Sequence, residues 1–145
     1  MTEALHLRFD VDCGVEHAFT TWTARTSTWW PTSHTVAGEP GLAVILEPRP
    51  GGRIFERTAD GREADWGRIV AWEPPHRLVY TWHLRQDEAD ATEVEIRFDA
   101  RPEGGTTVSI EHRGWERLGA RGPDRREANE RGWGGLLPHY VSAVR

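Results

Sequence analysis

The sequence predicts an α+β domain: one curved antiparallel sheet of about seven strands, with short helices after its first strand and a long C-terminal helix across one face. Three observations predict it. Short runs that alternate apolar with polar residues, punctuated by Gly and Pro turns, fill most of residues 42–113. Apolar residues near the C-terminus recur at spacings of three and four. A lone strand-like run precedes a short helical stretch at the start. An order of strand, short helices, about six strands and a long helix gathers the helices on one side of a single sheet.

Residues 4–11 place Leu5, Leu7, Phe9 and Val11 on one side and His6, Arg8 and Asp10 on the other, the period of a half-buried strand that Gly14 ends. From Val15 to about Arg25 the spacing of Val15, Ala18, Phe19 and Trp22 is helical, and Thr26-Ser27-Thr28 and Pro31 stop the helix. Strands follow at Leu42–Glu47 and Arg53–Thr58, the second leading into Asp60-Gly61, a two-residue hairpin signal. Next come Ala64–Trp72, closed by Pro74-Pro75, and Arg77–Leu84, closed by the acidic stretch 87–90. Glu93–Ala100 turns at Gly104-Gly105 into Thr106–Arg113. In the tail, Asp124 can cap a helix with Glu127 three positions on. Trp133, Leu136, Leu137, Tyr140, Val141 and Val144 then form one stripe. Pro138 falls on the opposite, polar side, where it is expected to bend the helix around what its apolar face covers.

Composition closes several chemistries. The 145 residues, 37% hydrophobic and 28% charged, suit one soluble domain spanning 1–145 with a core of its own. Cys13 is the single cysteine, which excludes an intramolecular disulfide and cysteine-based metal sites and fits a reducing, cytoplasmic compartment. The N-terminus has no signal-peptide pattern, and the longest apolar run, 42–46, is too short to span a bilayer. All 18 basic residues are arginine, so Schiff-base chemistry and a phosphate-binding P-loop are closed. A net charge of −5 argues against nucleic acid as a partner. No serine sits in a nucleophile elbow, and the seven histidines lack metal-ligand spacing, so neither a metal nor a cofactor is expected. The arginines between 113 and 131 are nearly balanced by acids and read as a solvated face.

The aromatics carry more. Eight tryptophans in so short a chain fit an aromatic-lined cavity or a tryptophan-rich core equally. Tyr80, Trp82 and Leu84 share a strand face with Leu78, and His112 shares one with Val108 and Ile110. Phe55 and Trp66 pair across the Asp60-Gly61 turn if the hairpin is regular, although one bulge reverses which faces inward.

Together, Trp29-Trp30-Pro31, Gly51-Gly52-Arg53, Gly67 through Glu73-Pro74-Pro75 to Leu78, Thr81-Trp82, Glu111-His112-Arg113-Gly114-Trp115 and Gly132-Trp133 resemble the helix-grip domains of the START-like (SRPBCC) superfamily. The group most resembled is the one related to the activator of the heat-shock protein 90 ATPase. The resemblance spans nearly the whole chain and implies a helix-grip fold of order β-α-α-β6-α, with an internal cavity. Its relatives include a chaperone activator, aromatic polyketide cyclases, lipid carriers and bacterial proteins of unknown role, so it implies far less about activity.

The first expectation is a bacterial, single-domain protein that encloses an apolar or aromatic small molecule between sheet and C-terminal helix. Its walls come from Trp30, Phe55, Trp66, Tyr80, Trp82, Trp133 and Leu137, and its polar handle is His112. The alternative is a cyclase- or dehydratase-type enzyme in which His112 and a carboxylate such as Glu56 transfer protons. A co-chaperone acting through a protein surface comes last, because the chain lacks the separate N-terminal domain of the eukaryotic activator. The expected partner is thus a small molecule, neither nucleic acid nor membrane; a homodimer is compatible with the sequence.

Overall fold

A computed structural model describes residues 2–145. Seven strands form one antiparallel sheet: β1 (Leu5–Val11), β2 (Ala43–Leu46), β3 (Arg53–Arg57), β4 (Glu63–Glu73), β5 (Arg77–Trp82), β6 (Thr92–Ala100) and β7 (Thr106–Arg113). Their spatial order is β1-β7-β6-β5-β4-β3-β2. Thus β2 to β7 are a meander, and β1 returns to pair with β7, Leu5 opposite His112 and Val11 opposite Thr106. Because β1 and β2 lie at opposite edges, residues 12–42 must cross the sheet. They do so as helix α1 (Val15–Thr23) and two 3-10 turns, Thr26–Thr28 and Thr32–His34. The C-terminal helix α2 (Gly122–Ala143) follows a 3-10 segment, Trp115–Arg121.

One sheet face is the core. Leu78 and Tyr80 of β5, Val94, Ile96 and Phe98 of β6, and Val108, Ile110 and His112 of β7 are buried there against Phe19 and Trp22 of α1 and Trp133, Leu136 and Tyr140 of α2. The Tyr140 hydroxyl donates to the Ala18 carbonyl at 2.7 Å, tying α2 to α1. Pro138 is exposed, as the phase of the apolar stripe requires, and the helix runs on through it. Asp124 makes no capping hydrogen bond. It lies inside the first turn, where its charge suits the helix dipole, because the helix starts earlier, at Gly122-Pro123.

Two departures from regular pairing decide which side chains face the core. The β3–β4 turn is a loop over residues 58–62 rather than a two-residue hairpin, with Thr58 N–H donating to the Arg62 carbonyl at 2.9 Å. The register then slips, so that Ile54 opposes Gly67 while Phe55 opposes Asp65, and Trp66 is left as the extra residue. Trp66 and Glu56 point into the core; Phe55 lies on the other face, roofed by the guanidinium of Arg53 at 3.9 Å from its ring centre. The expected Phe55–Trp66 pair is therefore split by this bulge. Gly67 permits it: a Cβ there would lie 1.8 Å from the Thr81 carbonyl oxygen.

The outer face carries a charge ladder. Arg113 reaches Glu93, Glu95 and Glu111 at 2.6, 2.8 and 2.9 Å, and Arg77 and Arg97 reach Glu95 at 2.8 and 2.7 Å. Burial alone would raise the Glu95 pKa, but hydrogen bonds from Arg77 and Arg113 outweigh it and hold it at about 2. A depressed carboxylate stabilises the fold above its unfolded pKa of 4.5 and loses that contribution as pH falls towards 2. Melting temperature should therefore drop across this window, with at most about 3 kcal/mol from this group. Glu95→Gln should be less stable at neutral pH and show a shallower acid limb in pH-resolved thermal melts.

Candidate functional site

Seven of the eight tryptophans, with Phe19, Phe98 and Tyr140, pack edge-to-face or tilted in one network; Trp22 lies 5.1 Å from Trp29 and 4.8 Å from Tyr140, centre to centre. The series continues outward from Trp29 to Trp30 at 5.4 Å, and Trp30 meets Trp66 at 5.0 Å and Trp82 at 5.8 Å. Among Trp22, Trp30, Trp66, Tyr80 and Trp82 only about 10 Å3 is empty, room for one water at most. The enclosed cavity expected between sheet and helix is filled by indoles.

What remains open is a pocket of about 220 Å3 at the rim, between α2 and the β5–β6 connection. Trp30 and Trp82 form its inner wall and are half-exposed, while Trp133 and Leu136 close it from α2. Leu84, Arg85 and Gln86 supply the opposite lip, His34 the side, and Arg125, Ala128, Asn129 and Gly132 the helix flank. The lip is fixed. Arg85 has φ 62°, an unusual left-handed backbone for a branched-chain-free but side-chain-bearing residue, and its guanidinium donates to the carbonyls of Ser33 and Thr35 at 2.8 and 2.7 Å. Glu56 holds the following residues, accepting from Val36 N–H at 2.7 Å, Ala37 N–H at 2.9 Å and the Trp66 indole at 2.8 Å.

Of the expected wall residues, Trp30, Trp82 and Trp133 come together in this pocket. Trp66 and Tyr80 lie behind it in the core, Phe55 is on the far face of the sheet, and Leu137 lies on the other flank of α2, beside Leu7 and Phe9. His112 is not a free polar handle. It is fully buried, and its Nδ1 accepts from the Trp133 indole N–H at 3.1 Å, which leaves Nε2 protonated to donate to the Thr92 hydroxyl at 2.7 Å. Burial, reinforced by the charge of Arg125, pushes its pKa down to about 3. Glu56 is likewise consumed by its three donors and makes no contact with His112, so the expected acid–base pair is not assembled.

His34, Arg85, Gln86, Arg125 and Asn129 were absent from the expected set. The α2 members had a signal: counting back from Leu136 through Gly132 and Trp133, Ala128 and Asn129 to Arg125 keeps the three-and-four spacing of the apolar stripe. His34 has its pKa lowered by burial, against a backbone hydrogen bond at Gly132, with the charges of Arg85 and His139 adding to the fall. It therefore stands in the pocket as a neutral imidazole at pH 7.

Residues 12–139 match the model of the family described as activator of Hsp90 ATPase homolog 1-like protein. The chain belongs to this family. Among solved structures, it is similar to CalC, a self-sacrificing resistance protein from Micromonospora echinospora, at 25% identity and a TM-score of 0.75, covering 98% of this chain and 94% of that one. It is similar to Txn09, an anthrahydroquino-γ-pyrone synthase, at 36% identity and a TM-score of 0.58, covering 85% and 84%. Protein MLL2253 from Mesorhizobium loti, at 18% identity, TM-score 0.69 and coverage of 97% and 96%, shares the fold. No curated protein matches the chain in sequence. Among the described residues, no helix is long and apolar enough to cross a membrane.

His112→Leu should be destabilised by about 2 kcal/mol or more, because it strands the Trp133 N–H and removes the partner of Thr92. In a Trp133→Phe background the same change should cost less, since no indole N–H is left unpaired; denaturant melts of the four proteins of this cycle check it. The sign with pH is also set. A histidine held neutral stabilises the fold above its unfolded pKa of 6.5, and that contribution fades as pH falls towards 3.

Proposed function

We propose that this protein binds a compact, planar aromatic molecule in the pocket between α2 and the β5–β6 connection. The observation that carries the reading is the partial exposure of Trp30 and Trp82 at the floor of a pocket that Trp133 and Leu136 also line, while Trp22, Trp29, Trp66 and Trp115 are packed away in the core. Indole faces offer large apolar area with preferred stacking geometries, which suits flat rings. At about 220 Å3 the space is below the roughly 300–1,000 Å3 usual for small-molecule sites, which favours a few fused rings over a long acyl chain. A few polar groups at the rim, His34, Gln86 and Asn129, are placed to orient such a ligand.

A second reading has its own support, the 36% identity to a chain described as an anthrahydroquino-γ-pyrone synthase. In that reading the protein closes a ring on an aromatic polyketide-like substrate, and proton transfer falls to His34, the imidazole that faces the pocket in neutral form.

Ala128 is exposed on α2 and lines the pocket, so Ala128→Trp should fill it from outside without touching the core. Titration with naphthamide, followed by tryptophan emission, should saturate near one equivalent for the wild type, weaken by about tenfold or more in Ala128→Trp, and leave the melting temperature unchanged. Unaltered binding in that variant would place the ligand elsewhere. For the enzymatic reading, His34→Gln should abolish turnover of a cyclisable aromatic substrate while keeping its affinity; retained turnover would remove His34 from the chemistry.

A further inference from the structure

The helix flank of the pocket carries an unanswered charge. The arginines around the start of α2 otherwise have partners: Arg121 is bidentate to Asp90 at 3.0 and 3.1 Å, Arg126 donates to the carbonyl of Glu3 at 2.6 Å, and Arg131 pairs with Glu127 at 3.0 Å. Arg125 is different. Its Nη1 is buried and has no hydrogen-bond partner among the described residues, yet the residue forms part of the pocket wall. Asp90, the acid whose field supports its charge, already gives both carboxylate oxygens to Arg121. The second arginine of the lining, Arg85, is occupied with backbone carbonyls and has no carboxylate to neutralise it. Among the described residues, then, the lining holds two arginines and no acid, in a chain of net charge −5.

Resting on the reading that the pocket binds a planar aromatic molecule, we propose that this ligand carries an oxyanion, a ring-bound carboxylate or an ionised enol, which seats against Arg125. An arginine in a largely apolar wall with no carboxylate beside it is best answered by an anionic oxygen, because charge-assisted hydrogen bonds are among the strongest. Burial works against the charge of Arg125, and an anion beside it would offset that desolvation. The aromatic walls then hold the rings and the helix flank reads the charge, a division of labour usual in sites that combine apolar walls with a few placed polar groups.

Two matched pairs of probes test this in the full-length protein by tryptophan fluorescence and calorimetry: naphthoate against its neutral amide, and hydroxynaphthoquinone, ionised in neutral buffer, against its methyl ether. The charged member of at least one pair should bind about tenfold tighter or more. Preference within the first pair only assigns a carboxylate; preference within the second only assigns an enolate. Arg125→Met should abolish the preference, with a melting temperature no lower than that of the wild type. Equal binding of charged and neutral members by the wild type, a comparison that needs no variant, would overturn the oxyanion and leave the aromatic pocket standing. A preference that survives in Arg125→Met would also overturn it, and binding of none of the four probes would overturn both readings.

Discussion

The hydrogen bond from the Trp133 indole to His112 Nδ1 is the interaction on which the arrangement of this molecule depends. It joins the long helix to the last strand inside the core, where a missed partner on either side is expensive. It also fixes the imidazole tautomer, since Nδ1 must accept and Nε2 must then donate, which Thr92 answers at 2.7 Å. The next ring along, Trp115, donates to the His112 carbonyl at 2.9 Å and stacks beside the imidazole at 4.3 Å. With Tyr140 bound to Ala18 at the other end, α2 can neither roll nor slide, and its rotation determines which residues face the rim: Arg125, Ala128, Asn129 and Gly132.

That rotation has a cost in space. A helix laid over a sheet of this kind encloses volume, and here the volume is taken up by large aromatic rings whose N–H groups find partners close by: Trp29 on Thr21, Trp30 on His34, Trp66 on Glu56. Close packing leaves no interior room for a ligand, because a void lined by indoles forfeits the dispersion contacts that hold them. The opening is displaced to where the aromatic series meets solvent, at Trp30 and Trp82. Site and core are thus continuous, the same rings serving as floor for one and edge for the other.

Most of the fold was legible in the sequence, and the site only in part. Alternation such as Val94, Ile96 and Phe98 against Glu93, Glu95 and Arg97 identifies a strand and its inner face without further help. The Phe55–Trp66 pairing was not legible, because a bulge leaves no mark in composition beyond a glycine, and Gly67 acts through the Thr81 carbonyl, a tertiary contact. Strand parity puts His112 with Val108 and Ile110, but its partner comes from 21 residues away, and parity along a strand says nothing of what stands opposite. Arg125 was hidden for a different reason. Its neighbours are balanced in charge, and only the geometry of Asp90 with Arg121 shows that the balance is local and leaves one guanidinium out.

The rim itself is held by backbone dipoles gripped from opposite ends. Arg85 takes the carbonyls of Ser33 and Thr35, and Glu56, one strand away, takes the N–H groups of Val36 and Ala37. A cation on carbonyls and an anion on amides are each the favourable sense of interaction, so the segment between Trp30 and β2 is ordered without a ladder of its own. Removing either residue would leave the other correctly placed but the segment held from one side only. The consequence is a preorganised lip: the pocket does not have to pay for ordering a loop when a ligand arrives, and the free energy of stacking on Trp30 and Trp82 is available for binding rather than for folding.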